Sequence, residues 1–295
     1  MICPTCKTEN LSHYKFCFEC GETLAGGKSR QAKVNEKEIQ QILNSPFALE
    51  FEELIDRAAA YYQVVIEQHP QYADVRFKLG SAYEAKGELD EAIHQYKEAA
   101  RINPNYIDAH RKLGELYSDK GIYEEAIQEF KKVLKIKIKY RYADVQNNLG
   151  VAYEKAGKLK RAIQCYKKAL AINPNYAKAH FNLGNAYSSS GMMEEAIEEY
   201  KSALRSNPSD VLCLNNLGIA YYQQQKSEEA IKIFEEAISM MPHYNHARHN
   251  LGRIYMEGKN QKKAVEIYET ILSYDPEDEE AKELLAQAKR GIEQG

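Results

Sequence analysis

The stretch LGSAYEAKGELDEAIHQYKEAARINPN, residues 79–105, decides the fold. Leu79 and Tyr83 lie four apart and share one helical face. Gly80, beside them, has no side chain, so a neighbouring helix can approach closely. Ala92, Tyr96 and Ala99 follow at i, i+4 and i+7, the apolar stripe of a second amphipathic helix. Between the two, Gly87 can take the left-handed conformation that ends the first helix. In Asn103-Pro104-Asn105 the proline stops the second helix and turns the chain.

The same signature recurs along the chain. Leu-Gly stands at Leu79, Leu113, Leu149, Leu183, Leu217 and Leu251, at spacings of 34, 36, 34, 34 and 34 residues. Each copy has a tyrosine three residues after its glycine, from Tyr83 to Tyr255. Each then has an alanine, from Ala92 to Ala264, and an aromatic four further on: Tyr96, Phe130, Tyr166, Tyr200, Phe234 and Tyr268. Proline closes the copies at Pro104, Pro174, Pro208, Pro242 and Pro276. Gly121, Gly157 and Gly191 repeat the role expected of Gly87. One helix pair cannot bury its apolar face alone, and stacked neighbours make the core continuous.

This pattern resembles the tetratricopeptide repeat (TPR), whose consensus carries Leu-Gly, Tyr, Ala, an aromatic and Pro at these offsets. The resemblance implies an all-α fold, a right-handed superhelical α-solenoid of helix pairs. It covers about Ile39 to Gln294. The family's tryptophan, three residues before the leucine, is replaced by Arg76, His110, Gln146, His180, Leu214 and Arg248. The expected organisation is a zinc knuckle at 1–24, a linker at 25–38 and a degenerate capping repeat at 39–72. Six repeats follow at 73–106, 107–142, 143–176, 177–210, 211–244 and 245–278, and a solvating helix at 279–295 closes the stack. The third repeat begins two residues late, after the proline-free junction Lys135 to Tyr142. An extended second helix or a reshaped loop is expected there.

The N-terminus reads Cys3-Pro4-Thr5-Cys6, ten residues, then Cys17-Phe18-Glu19-Cys20-Gly21. Two Cys-x-x-Cys pairs can each present two thiolates and together complete a tetrahedral site for one zinc ion. The arrangement resembles the compact zinc ribbons, with Phe16 before the second pair and Gly21 after it. A closed four-sulfur site is structural, since no position stays open for substrate. So short a segment builds too little core, and the metal would supply folding free energy on the order of 10 kcal/mol. His13 as a replacement ligand, and a thiol redox pair, are the alternatives. Cys165 and Cys213 stand alone in helical sequence, where a small buried residue is expected.

Among its 295 residues the chain is 44% hydrophobic and 28% charged, the balance of a folded protein. No apolar run approaches the roughly 18 residues of a membrane span, and Met1-Ile2-Cys3-Pro4 shows no signal-peptide pattern. A cytoplasmic location is expected. The net charge of −3 hides a segregation. Residues 131–168 carry 12 basic and 2 acidic side chains, whereas 192–295 carry 12 basic and 19 acidic. Eleven of the basic residues in 131–168 form the basic set: Lys131, Lys132, Lys135, Lys137, Lys139, Arg141, Lys158, Lys160, Arg161, Lys167 and Lys168. It falls on second helices and turns, and could meet nucleic acid, an acidic protein or an anionic membrane surface, or be an ordinary solvated face.

In the superhelix that the resemblance implies, first helices line the concave face. The residue before each Leu-Gly is then a groove position: Lys78, Lys112, Asn148, Asn182, Asn216 and Asn250. Four asparagines in register could hold the backbone of an extended peptide, or could contact the adjacent repeat. Asp74 and Asp108, four residues ahead of Lys78 and Lys112, are expected to pair with them. The set that clamps a partner's C-terminal carboxylate in some relatives cannot be assembled, because the position after Leu-Gly reads Ser81, Glu115 and Val151. His243, His246 and His249 recur every three residues, as a surface cluster or a transition-metal site. No nucleophile–base set, phosphate loop or open metal site supports catalysis. The expected function is a protein–protein scaffold that binds a peptide or helix, with a nucleic-acid adaptor as the rival.

Overall fold

The computed structural model describes residues 48–136 and 142–293. Fourteen α-helices account for nearly all of them, and there is no strand among the described residues. The chain divides into two compact units, Met1–Ile136 and Lys137–Gly295. In the first, α1 (Ala48–Gln68) precedes the pairs α2 (Ala73–Ala85) with α3 (Leu89–Ile102) and α4 (Ile107–Asp119) with α5 (Tyr123–Lys135). The second holds α6 (Ala143–Lys155) with α7 (Leu159–Ile172), α8 (Ala177–Ser189) with α9 (Met193–Ser206), and α10 (Val211–Gln223) with α11 (Ser227–Met240). The pair α12 (Asn245–Glu257) and α13 (Gln261–Tyr274) comes next, and α14 (Glu279–Glu293) ends the unit. Within each unit, successive helices pack on one another.

The repeated residues build the core. The alanines Ala92, Ala126, Ala162, Ala196, Ala230 and Ala264 are completely buried, as are the rings of Tyr96, Tyr166, Phe234 and Tyr268. Each ring lies on the glycine of its own pair. A Cβ placed on Gly184 would come within 2.7 Å of the Tyr200 ring, and one on Gly150 within 2.5 Å of Tyr166. The same approach recurs at Gly80, Gly114, Gly218 and Gly252. Leu79, Leu113, Leu183 and Leu217 fill the space beside these rings at 1–2% exposure. The end helix α14 buries Ala281 and Ala288 and sets Leu284 and Leu285 against Tyr268 and Ile271 of α13.

The turn inside each pair is closed by one motif. The Glu88 N–H donates to the Tyr83 carbonyl at 2.9 Å and the Gly87 N–H to the Glu84 carbonyl at 3.0 Å, the paired bonds of a Schellman cap. The repeated tyrosine carbonyl takes the same bond from Ile122, Lys158, Met192, Lys226 and Asn260. Gly87, Gly121, Gly157 and Gly191 supply the left-handed residue at φ between 73° and 78°. In the last two pairs it is Gln225, at φ 61°, and Lys259, at φ 55°.

Where the TPR consensus has tryptophan, polar ties at Arg76, His110 and His180 join three of the turns to the next second helix. Arg76 Nε donates to the Pro70 carbonyl and its Nη1 to Gln95 Oε1, both at 3.2 Å. His110 sits 3.0 Å from the Pro104 carbonyl and 2.6 Å from Glu129 Oε2. His180 repeats this with Pro174 at 2.9 Å and Glu199 at 2.6 Å. Leu214 replaces the tie with an apolar contact, packing in the cluster that Ile233 joins.

The late start of the third repeat does not lengthen the preceding helix. At 13 residues α5 is no longer than its counterparts, and it ends on Ile136 in extended conformation. Residues 137–141, the remainder of that junction, lie outside the described residues, and the two units divide there.

An L-residue held in left-handed conformation costs roughly 1–2 kcal/mol relative to glycine. Gln225→Gly and Lys259→Gly are each expected to raise the unfolding free energy by about 1 kcal/mol, read as a higher urea midpoint with an unchanged m-value. Loss of stability in both would show that their side chains hold the turns in some other way.

Candidate functional site

The first helices of the second unit, α6, α8, α10 and α12, touch in succession and make one face. Their Leu-Gly sequences place an asparagine at the same register on each. These asparagines reach backward to the preceding first helix. Asn182 Nδ2 on α8 donates to Asn147 Oδ1 on α6 at 2.9 Å. Asn216 on α10 donates to Asn185 on α8 at 2.9 Å, and Asn250 on α12 to Asn215 on α10 at 3.1 Å. Asn148, on the unit's first described helix, accepts from its neighbour Asn147 at 3.3 Å. The acceptors Asn147 and Asn215 are buried, at 0% and 7% exposure.

In the first unit the same position carries lysine and makes the same backward step with charge. Lys112 Nζ lies 2.8 Å from Glu84 Oε1 on α2, while Asp108 pairs with Arg111 at 3.0 Å. The expected pairing of Asp108 with Lys112 is therefore corrected: the glutamate on the neighbouring helix takes the ammonium. Lys78 is exposed. Glu84 also accepts from the Tyr96 hydroxyl at 2.6 Å, so one carboxylate binds ring, lysine and two helix pairs. In the second unit, Tyr166 donates to Glu154 at 2.7 Å and Tyr200 to Asn185 at 2.8 Å.

On this face α12 forms a wall of a cleft of about 790 Å³. Asn215, Ile219, His249 and Asn250 line it, and Arg253, Asp275 and Glu280 lie around it. His249 Nε2 is 2.8 Å from Asp278 Oδ2, and Arg253 pairs with Glu280. Asp278 also caps α14 by accepting the Ala281 N–H at 2.9 Å. Burial pushes its carboxyl up, but that N–H and His249 outweigh it and hold the group below the usual carboxylate range. Leu212, one turn before Asn216 on α10, is exposed at 59%.

Part of the basic set singled out in the sequence is engaged by neighbours. Lys132 pairs with Glu129 at 2.7 Å. Arg161 lies over the Tyr153 ring and Lys167 over Tyr187. Lys131 and Lys158 are also engaged, and Lys135, Lys160 and Lys168 are exposed. Lys137, Lys139 and Arg141 lie outside the described residues, as do Cys3, Cys6, Cys17 and Cys20. Cys165 and Cys213 are buried, and burial pushes the Cys213 thiol up to about 12. Among the described residues no group of three or more His, Cys, Asp or Glu is arranged to hold a metal ion, the histidines at 243, 246 and 249 included. No described helix is long and apolar enough to cross a membrane.

The geometry defines a repeat protein of stacked helix pairs with a polar face on its first helices. Family models described as TPR repeat match residues 85–121, 155–191 and 184–225. Models described as tetratricopeptide repeat match 61–94, 108–137 and 221–288. Among solved structures, MamA is 30% identical, with a TM-score of 0.53 over 57% of this chain and 91% of its own. YrrB, described as a TPR protein with an unusual peptide-binding site, is 24% identical, with a TM-score of 0.56 over 65% of this chain and 98% of its own. The C-terminal part of a TPR repeat-containing protein from Cytophaga hutchinsonii is 16% identical, with a TM-score of 0.67 over 85% of this chain and 97% of its own. Comparison with curated proteins gave no match. The chain belongs to the tetratricopeptide repeat family.

The sequence did not single out Asn147 and Asn215, although the doublets Asn147-Asn148 and Asn215-Asn216 before Leu-Gly were the available signal. Removing the donor from a buried acceptor costs about 1–3 kcal/mol. Asn182→Ala, which strands Asn147 Oδ1, is expected to lower unfolding free energy by about 2 kcal/mol. Asn148→Ala, which has no preceding first helix to reach in its unit and takes from Asn147 Nδ2 only the longer contact at 3.3 Å, should cost less. Equal losses in urea melts would remove the ladder as the cause.

Proposed function

We propose that the protein is a non-catalytic scaffold that holds a peptide or helix of a partner protein on the face of its first helices. The observation that carries this reading is the cleft on the polar face of α10 and α12, walled by side chains already held in place by their neighbours. A partner meets a surface that needs little ordering of its own, which removes part of the entropic cost of association. Asn182, Asn216 and Asn250 have Nδ2 committed to the preceding first helix, and each carbonyl oxygen keeps at least one lone pair for an incoming backbone N–H. YrrB, a structural neighbour whose description names a peptide-binding site, supports the same reading. The rival, nucleic-acid association through residues 131–168, has less support, since Lys132 is paired and Arg161 and Lys167 lie on tyrosine rings.

The zinc knuckle is part of the same proposal. Cys3, Cys6, Cys17 and Cys20 would hold one structural zinc ion, supported by the donor chemistry of two thiol pairs. Such thiols stay reduced in the cytoplasm, which is the location proposed. Elemental analysis of the purified full chain should give one zinc per molecule, and Cys17→Ser with Cys20→Ser should abolish it. Wild-type protein without zinc would overturn the site.

The asparagines hold the stack as well as the face, so the test of partner binding is placed on exposed Leu212. Affinity capture from native lysate would be run at two salt concentrations, with and without nuclease, for wild type and Leu212→Glu. Partners that survive salt and nuclease, and are lost with Leu212→Glu, are expected. Capture that follows nucleic acid, collapses in salt and ignores the substitution would overturn the scaffold reading in favour of the basic set.

A further inference from the structure

In the second unit, the last helix pair leaves polar atoms without partners where its predecessors satisfy them. The ladder closes forward in earlier pairs: Asn147 receives Asn182, and Asn215 receives Asn250. One pair further on, His249 stands where Asn215 stood, and its donor would come from α14. The residue at the ladder position there is Leu284, which has nothing to donate. Asp278 is held as a carboxylate and only accepts, so the facing Nε2 of His249 carries the proton. In the tautomer with its one proton on Nε2 the ring offers Nδ1 as an acceptor, and that atom is buried with no partner.

A second acceptor lies one turn earlier. The opening residue of the first helices reads Ala73, Ile107, Ala143, Ala177 and Val211, then departs to Asn245. Asn245 Oδ1 is buried and unpartnered. Asn245 and His249 both line the 790 Å³ cleft, with Ile219 as an apolar wall. Asp275 is exposed beside them and makes no ion pair with a described residue. The one guanidinium of the cleft that could answer it, Arg253, is taken by Glu280.

We propose that this cleft is a subsite for a basic side chain, the guanidinium or ammonium group of an arginine or lysine in a partner peptide. The proposal rests on the peptide-binding reading above and names the chemistry of the ligand. The N–H groups of the ligand supply the donors that His249 Nδ1 and Asn245 Oδ1 lack, and its charge answers Asp275. Its aliphatic stem lies on Ile219. A carboxylate in the same place would set acceptor against acceptor.

The test is an NMR titration of the isotope-labelled full chain with three blocked alanine pentapeptides, whose central residue is arginine, norleucine or glutamate. The arginine peptide is expected to bind saturably, shifting signals of α12 and α14, and to bind roughly tenfold more tightly than norleucine. The glutamate peptide is expected to leave these signals unmoved. Asn245→Ala, which restores the residue of Ala177, should weaken the arginine peptide roughly tenfold. Leu284→Asn removes no ligand contact and adds the missing ladder donor, so it should compete with the peptide and weaken it similarly. Equal binding of arginine and norleucine, or binding indifferent to both substitutions, would overturn the basic subsite. If shifts then lie along α6, α8 and α10, the wider peptide face survives; if no peptide shifts any first helix, that reading fails too.

Discussion

An aromatic ring packed against a glycine is the contact on which each of the six described helix pairs depends. With the six Leu-Gly glycines so close to their rings, a single added carbon has nowhere to go. The first and second helices can therefore approach only where one has no side chain and the other a planar one. A buried aromatic carries on the order of 3–5 kcal/mol against truncation to alanine. The alanine four residues ahead of each ring and the leucine beside each glycine then fill what the ring leaves. Register within the pair follows from this contact, and register between pairs follows from register within them.

Built on that constant frame, the polar positions vary, and each pair becomes a control for the others. The ring hydroxyl is met by a glutamate at Tyr96 and Tyr166 and by an asparagine at Tyr200. At Tyr268 it has no partner, and burial pushes the phenol up to about 12. The tie at the tryptophan position pairs His110 and His180 with glutamates, and Leu214 with an isoleucine. Arg248, in the last pair, is buried over the Tyr274 ring with Nη1 unpartnered, and Ile267 stands where Glu199 does for His180. The departures gather in α12 and α13 rather than spreading evenly, and α12 is where the cleft lies.

Much of this was legible in the sequence because it is local and periodic. The helix pairs, the ring beside the glycine and the left-handed residues at Gly87, Gly121, Gly157 and Gly191 all follow from spacing and turn chemistry within one repeat. Gln225 and Lys259 were invisible to that reasoning, since composition alone does not place them in left-handed conformation. The direction of the amide bonds was also out of reach. Asn182 meets Asn147, 35 residues away, only because α6 and α8 lie side by side. For the same reason Lys112 was matched to the aspartate on its own helix rather than to Glu84, 28 residues back. Local spacing ranks neighbours on one helix; it carries no information on which helix comes to rest alongside.

The backward-pointing amide ladder gives the second unit a polarity of growth. Asn182, Asn216 and Asn250 donate toward the chain's N-terminus, so a helix pair is completed by its successor. A tandem duplication of 34 codons that inserted a copy of α12 and α13 before α14 would bring its asparagine to the waiting ring nitrogen of His249. The same duplication would pass His249 and Leu284 on to a new terminal pair. The ladder can thus lengthen one unit at a time, with its open end always carried outward to the last pair.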